Sequence, residues 1–443
     1  MSVFTQGAFM KRYPGMVVVF IAACLWLGVS NAWAVTNQFR GVNWADQRDN
    51  FQSGVVYVSG LSSSDTYASA STVADRIISQ FISKLGTNSV RMPINEATVS
   101  SYWSTYTGAI DVALSKGKVL LCYWDNSSGA LPVDINAFWD MWKTVVNKYG
   151  NNSNCYFEIF NEPSCYNKTD LCNLYDSWLK KYPSVPKKRV ILDGSGLAMN
   201  VPDVGSDSRF DSCFLAVHEY SFFGSSSSVA ESDWANQIKS FVGNYSDRTV
   251  CTEWGGPMSP GSKNGISYSY LDYSKTPTNY FEAYVRGVSG QLRTWKMGSF
   301  YWPGLRDGDW YSMTIKSGSG SNITLSVPNQ SGLDRLKYSW TDTATTSVAP
   351  CEAGATPSSS LKVRMSKSIL SMEFLALQSG LTTLKLVDLT GAVIKTAYIQ
   401  TAAGRAFSHR FDCADIMGGF YIVSLENESA GNAVKLLLNR NKD

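Results

Sequence analysis

Eight short β-rich runs recur along the chain from residue 39 onward: FRGVNWA, NSVRMPI, KVLLCYWD, CYFEIFNEP, RVILDGSG, CFLAVHEYSFFG, TVCTEWGG and MGSFYWPG. Longer segments separate most of them, among them STVADRIISQFISKLG, DINAFWDMWKTVVNKYG and NYFEAYVRGVSGQLRTW, with apolar residues three and four apart. That spacing is the period of an amphipathic helix. Strand–helix repetition builds a parallel sheet, because parallel neighbours need a crossover and a helix supplies it. Eight strands are the number that closes such a sheet into a (β/α)8 TIM barrel. An open, doubly wound sheet is the alternative, but no glycine fingerprint marks a nucleotide-binding first turn.

The 443 residues leave room for that barrel and one smaller domain. Hydrophobic residues at 44% and charged residues at only 17% exclude a disordered chain. Aromatic residues reach 13%, and so many rings need either a core or a flat ligand. The net charge is +3, of which +3 falls in residues 361–443 and +2 on Lys11 and Arg12, so the part between carries −2. No basic face is implied there, and nucleic acid is not an expected partner.

Lys11 and Arg12, the apolar run MVVVFIAACLWLGVS and the small-x-small pattern Ala32-Trp33-Ala34 read as a signal peptide over residues 1–34. The mature chain is then secreted and starts near Val35. A retained membrane helix is disfavoured, since a span needs about 20 apolar residues. IAAC, ending at Cys24, is a looser lipoprotein-type cleavage pattern. Eight cysteines follow it, an even number that permits disulfides in an exported chain. Cys165 and Cys172, flanking the polar segment YNKTDL, are the expected pair; Cys122 and Cys251 lie in apolar runs and read as buried thiols. Residues 35–342 make the barrel domain, and TATTSVAPCEAGATPSSS, residues 343–360, reads as a Ser/Thr/Pro-rich linker. Alternation and turn residues in 361–443 predict a small all-β sandwich.

The fourth run carries two acids. In an uninterrupted strand Tyr156, Glu158, Phe160 and Glu162 share one face, with Glu158 roughly 13 Å below Glu162 at about 3.3 Å per residue. Barrel chemistry sits at the C-terminal mouth of the strands, which selects Glu162, just before Pro163. Glu158 reads as a buried structural acid that needs a partner such as Arg91. Glu253, before two glycines in the seventh run, has the same address as Glu162. Two carboxylates at one barrel mouth suit glycosidic bond cleavage, where one protonates the leaving oxygen and the other attacks the sugar or activates water. The bland reading of either acid is a salt-bridge partner.

The segment from 39 to about 310 resembles glycoside hydrolase family 5, the cellulase-type retaining (β/α)8 glycosidases. RMPI with Arg91, NEP with Asn161 and Glu162, HEY with His218 and Tyr220, TEWGG with Glu253 and YW with Trp302 occur in the family's order. The resemblance implies double displacement with retention, Glu162 as acid/base and Glu253 as nucleophile. Asn161 then bonds the sugar 2-hydroxyl, and Tyr220 and Arg91 hold Glu253 ionised. Glu162 keeps its proton through its carboxylate neighbour. His218 is one of only two histidines; alone on an apolar strand it would read as core, within HEY as functional. Trp302 offers a flat face to a pyranose. Trp124 and Trp44 are further substrate-binding candidates, with Tyr102, Trp103, Phe222 and Trp310 near strand ends or in mouth loops. The third run departs from the family, which commonly has a histidine near Trp124 and an acid near Cys122, so activity on plain cellulose does not follow.

Residues 361–443 resemble the C-terminal sorting domains of type IX secretion, through LVDLTGAVIKT, GGFYIVSL and KLLLNR. A carbohydrate-binding module is the rival reading and would need exposed aromatics on one face. The expected function is a secreted, monomeric β-glycanase acting on β-glucan or cellulose, mannan or xylan, without metal or other cofactor. An exo-acting glycosidase and a non-catalytic glycan binder on the same scaffold are the alternatives. The expected partners are a polysaccharide or oligosaccharide substrate and, through the tail, secretion machinery or the cell surface. Two histidines and no Gly-x-Ser-x-Gly leave no metal cluster or serine triad to assemble.

Overall fold

The alternation of apolar residues within each run decides which side chains enter the barrel. In Lys118–Tyr123 the odd-numbered residues Val119, Leu121 and Tyr123 pack outward under the helices. Leu120 and Cys122 point inward. All eight runs form strands: β1 Arg40–Trp44, β2 Ser89–Ile94, β3 Lys118–Tyr123, β4 Cys155–Glu158, β5 Val190–Asp193, β6 Phe214–Glu219, β7 Thr249–Trp254 and β8 Ser299–Leu305. Each pairs in parallel with its neighbours in sequence, and β8 closes on β1. The fold is a closed TIM barrel, as the strand count requires. This computed structural model describes residues 38–125, 131–132, 134–340, 362–366, 369–376, 379–388, 393–413, 416, 419–427 and 430–438. The expected signal peptide with Cys24, and the expected linker with Cys351, lie outside the described residues.

Three layers fill the barrel. Phe39, Leu120, Tyr156, Ile191, Phe214, Val250 and Phe300 plug its base. Above them lies a polar layer with Arg91, Glu158 and His218, all buried. Trp124, Tyr220 and Trp302 form an aromatic layer at the top. The outer helices bury one stripe each. Ile135–Tyr149 buries Phe138, Met141, Trp142, Val145, Val146 and Tyr149, and Asp134 caps it by accepting the Asn136 and Ala137 N–H groups. Among the described residues no helix is long and apolar enough to cross a membrane.

The chain divides into two compact units, Met1–Thr346 and Ser347–Asp443. The second carries a three-stranded antiparallel sheet (Lys362–Ser366, Ile369–Leu375, Ala406–Asp412) and a four-stranded one (Gly380–Asp388, Val393–Thr401, Gly419–Asn427, Ala430–Leu438). Leu370, Met372, Leu384, Leu386, Phe411 and Val423 belong to its own core. Phe374, Phe411 and Tyr421 are buried there, whereas Tyr398 is 69% exposed. Among the described aromatics of this unit these three therefore fill its interior, and Tyr398 alone is largely exposed.

One sequence expectation about covalent structure fails. Cys165 and Cys172 are both free thiols, as are the buried Cys122 and Cys251. Cys165 is exposed in the loop after β4, while Cys172 lies buried in the helix Lys168–Lys181 with its thiol toward the Asp203 carbonyl. The helix sets the direction of that side chain, and short sequence separation does not bring the two sulfurs together.

Separate cores predict separate folding. A chain ending at Thr346 should give an unfolding midpoint for the barrel within about 2 °C of the full chain and full activity per mole. Joint loss of midpoint and activity in differential scanning calorimetry and turnover assays would show that the tail completes the barrel.

Candidate active site

The polar layer is organised by one guanidinium. Arg91, on β2 and 1% exposed, donates from Nε to Glu158 Oε2 (2.5 Å) and from Nη1 to Glu253 Oε1 (2.5 Å) and Asn43 Oδ1 (2.9 Å). Its Nη2 donates to Asn161 Oδ1 (2.7 Å) and Cys122 Sγ (3.0 Å). The Trp124 ring lies 5.4 Å from the guanidinium carbon. Glu158 is thus the buried structural acid expected of it, with Arg91 as its partner.

Glu253 and Glu162 reach the same space by breaking strand alternation. Between β6 and β7 the register shifts after Val217 and Cys251, so that His218 pairs with Glu253. Thr252 and Glu253 then both serve the interior: Thr252 Oγ1 meets His218 Nε2 (2.9 Å), and Glu253 Oε2 accepts from the Tyr220 hydroxyl (2.7 Å). This is the re-aiming that a β-bulge performs. Gly255 follows because a Cβ there would run into the Trp302 carbonyl.

At the fourth strand the expected geometry needs correcting. β4 ends at Glu158, and the chain turns instead of continuing extended. Phe160 packs outward against Tyr123 (5.0 Å) and Tyr166 (5.5 Å), while Asn161 turns inward to Arg91. Glu162 has φ 51°, a left-handed conformation that costs a residue with a side chain about 1–3 kcal/mol. The Asp193 carboxylate meets its N–H (2.9 Å). Glu158 and Glu162 are not stacked 13 Å apart, since His218 lies 3.9 Å from Glu158 Oε1 and 2.9 Å from Glu162 Oε1.

A Glu162 oxygen, a Glu253 oxygen and a His218 nitrogen all lie within 4.8 Å of one another. Burial pushes the Glu162 carboxyl up to about 8, with Arg91 opposing and Asp49 and Glu158 adding to the rise. The main cause is thus lost hydration, where the sequence had pointed to the neighbouring carboxylate. Burial raises Glu253 too, against Arg91 and the Tyr220 hydrogen bond. Burial pushes His218 down to about 4, so the imidazole is neutral near pH 7. Glu158, Asp193 and His218 form a second group of such closeness, yet Arg91 already occupies a Glu158 oxygen, and Arg91 and Tyr220 occupy both of Glu253.

Above these groups opens a pocket lined by Glu162, Glu253, Tyr220, Trp124, Trp302, Phe51, Phe222, Trp310 and Tyr311, with Asp49, Lys263, Arg306 and Asp309 at its charged edge. A family model described as Cellulase (glycosyl hydrolase family 5) matches residues 51–285, more than half of the chain. The chain belongs to glycosyl hydrolase family 5. Among solved structures, Cel5A (EG2) from Hypocrea jecorina (Trichoderma reesei) is 15% identical and matches over 67% of this chain and 97% of its own, with a TM-score of 0.45. A thermostable, halotolerant cellulase from an Icelandic hot spring isolate is 15% identical over 68% and 87%, TM-score 0.49. The endoglucanase Cel5A of Pseudomonas stutzeri is 14% identical over 71% and 97%, TM-score 0.45. No curated protein matches.

In this family 5 hydrolase the candidates from sequence separate into two groups. Arg91, Asn161, Glu162, His218, Tyr220, Glu253, Trp124 and Trp302 converge on the polar layer and the pocket. Trp44 does not: it is fully buried among the outer core residues and its indole N–H donates to the Ser59 carbonyl (2.9 Å). Its inner neighbour Asn43 holds the inward place, donating to the Thr252 carbonyl (3.1 Å). Tyr102 and Trp103 likewise pack with the outer core, whereas Phe222 and Trp310 line the pocket. Sequence reasoning passed over Asn43, Thr252 and Asp193, although Asp193 ends its β-rich run just as Glu253 does. It also missed Asp49, Phe51, Arg306 and Asp309, which loops deliver.

Removing the cation should leave two buried carboxylates without compensation. Arg91→Ala is expected to destabilise the barrel by about 3–5 kcal/mol in urea unfolding, and to abolish turnover. A loss below about 1 kcal/mol would place the charge balance elsewhere.

Proposed function

We propose that this glycoside hydrolase is a secreted β-glycanase that cleaves β-glucan-type polysaccharides by double displacement, with retention at the anomeric carbon. The observation that carries the reading is the approach of Glu162 and Glu253 oxygens to within 4.8 Å. Retaining glycosidases hold their carboxyl groups about 5–5.5 Å apart, and inverting ones about 6.5–9.5 Å, to admit a water. Membership of the cellulase family supports the substrate class.

Glu253 is the nucleophile in this reading. Arg91 and Tyr220 donate to its two oxygens, which favours the carboxylate needed for attack. Glu162 is the acid/base: among the described residues no Lys or Arg pairs with its carboxyl, and it retains its proton to about pH 8. His218 Nδ1 lies 2.9 Å from Glu162 Oε1 and its Nε2 2.9 Å from Thr252 Oγ1; in the neutral tautomer with the proton on Nδ1 the ring donates to Oε1, which aims the carboxyl and leaves its proton on the other oxygen, toward the leaving group. Glu162 protonates the departing oxygen while Glu253 closes the covalent bond to the sugar. Neutralising Glu253 in that bond lowers the proton affinity of Glu162, which then serves as base for the incoming water. Asn161 Nδ2 has no partner among the described residues and is buried, where a sugar hydroxyl would satisfy it.

Export and the tail belong to the same proposal. The apolar leader and the sorting-domain resemblance support secretion, with residues 361–443 engaging the export machinery or cell surface. The burial of Phe374, Phe411 and Tyr421 favours sorting over sugar binding.

Reducing-sugar release across β-glucan, cellulose, mannan and xylan names the substrate, and product lengths separate endo from exo action. Glu253→Gln should abolish turnover on every substrate. Glu162→Ala should retain glycosylation by a dinitrophenyl glycoside, and azide should give a glycosyl azide of retained configuration. Azide rescue of Glu253→Ala with inversion, and none of Glu162→Ala, would reverse the roles.

The pH dependence follows from the raised carboxyl. As pH rises through about 8, Glu162 loses the proton the leaving group needs, so kcat/KM for an unactivated oligosaccharide should fall. Hydrolysis of the dinitrophenyl glycoside, whose departure needs no proton, should not fall at that pH in its glycosylation step. A basic limb common to both substrates would assign it to another group.

A further inference from the structure

We infer that Asp193 is a positioning residue that works as a neutral carboxylic acid: it shares its proton with Glu158 and holds the Glu162 N–H through its other oxygen, so aiming the acid/base. The inference rests on the role of Glu162 proposed above. Asp193 ends β5 and is fully buried. Its Oδ2 accepts from the Glu162 N–H at 2.9 Å. Its Oδ1 and Glu158 Oε1 are buried oxygens that no N–H or hydroxyl donor among the described residues reaches, and a carboxyl oxygen of each side chain lies within 4.8 Å of the other.

Two bare carboxylates in contact in a water-free layer repel each other. One proton between them replaces repulsion with a charge-assisted O–H···O bond and satisfies both orphaned oxygens at once. The surroundings decide which partner holds it. Glu158 Oε2 accepts from Arg91 at 2.5 Å, so against the upward push of burial this cation keeps Glu158 low. Asp193 has a backbone N–H but no contacting cation, and burial with the Glu158 charge pushes it well up. The other groups facing the pair are Cys122 from β3, His218 from β6, 3.9 Å from Asp193 Oδ2, and Tyr175, whose hydroxyl donates to the Asp193 carbonyl. None of them supplies a second positive charge, because His218 is neutral near pH 7.

The consequence for catalysis runs through the backbone. Glu162 sits at φ 51°, a conformation its side chain opposes, and the carboxyl of Asp193 holds its N–H there. Without that hold, residues 161–163 can relax toward ordinary dihedrals and carry the Glu162 carboxyl off the line to the leaving oxygen.

The test compares Asp193→Asn with Asp193→Ala on cellopentaose and on dinitrophenyl β-cellobioside. Asparagine copies the neutral acid, since its amide N–H donates to Glu158 and its carbonyl accepts the Glu162 N–H. Asp193→Asn should stay within about threefold of the native kcat, with an unmoved basic limb. Asp193→Ala should lower kcat on cellopentaose by about 100-fold with KM little changed, the loss typical of a group displaced by about 1 Å. It should lose far less in the glycosylation step of the activated substrate. Infrared difference spectra need no substrate: the native enzyme minus Asp193→Asn should show a protonated carboxyl band that survives above pH 9. The inference is overturned if that band is missing, or if asparagine is as damaging as alanine. It is overturned too if asparagine moves the basic limb down by about one pH unit, since that would mean the removal of a negative charge beside Glu162. If Glu162→Ala itself shows no dependence on leaving group, the acid/base assignment falls, and the infrared band still decides the protonation of Asp193.

Discussion

Everything at the mouth of this barrel is built around the charge of Arg91. A buried guanidinium is tolerable only when its donors are met by well-placed acceptors, and here Glu158, Glu253, Asn43, Asn161 and Cys122 all meet it. These acceptors come from four strands or their ends and Arg91 from a fifth, so the ion cluster ties β1, β2, β3, β4 and β7 into one arrangement. The coupling works in both directions. The carboxylates keep Arg91 charged against the penalty of burial, and Arg91 keeps Glu158 low and opposes the rise that burial imposes on Glu253. Because Arg91 is the one such cation among the described residues, in this reading the surplus acids hold protons, the catalytic one on Glu162 among them.

A closed barrel with strict alternation would present only every second residue to its interior. The site needs more than that at two places, and the backbone departs from alternation at both. The register shift at Val217 and Cys251 brings Thr252 and Glu253 inward together. The turn after Glu158 does the same for Asn161 and Glu162. Each departure is held by side chains of adjacent strands: Asn43 and His218 against Thr252, Asp193 and Arg91 against the Asn161–Glu162 step. Strain at the functional residue and hydrogen bonds that secure it are therefore parts of one device.

The eight strands were legible because period-two runs bounded by turn residues state their own conformation, and their number states closure. The acids were legible by address, as the ends of β-rich runs. What could not be read was the fine geometry at those ends, since a bulge depends on partners in other strands. Trp44 illustrates the failure: its place near a strand end suggested the pocket, yet Asn43 takes the inward position and the indole turns out to the core. The Cys165–Cys172 expectation failed because nearness in sequence does not fix the directions of two side chains. Asp49, Phe51, Arg306 and Asp309 gave no local signal; Arg306 lies 3.2 Å from Asp49 and 3.1 Å from Asp309, a loop-to-loop network that exists only after folding.

The aromatic layer shows how a departure from the family pattern is absorbed. Trp124 stands where the resemblance implied a histidine, and it is almost wholly buried. Its ring stacks on Trp302 at 5.4 Å with a 23° tilt, meets Phe51 edge-on at 4.4 Å and covers the Arg91 guanidinium at 5.4 Å. One face of Trp302 is therefore committed to Trp124, and only what remains of that ring can meet a sugar. The same stack shields Arg91 from solvent on the pocket side, which strengthens its attraction to Glu253. The large indole thus acts through the cation beneath it as well as through the shape of the wall above, so its effect on the pocket cannot be separated from its effect on the charge state of Glu253.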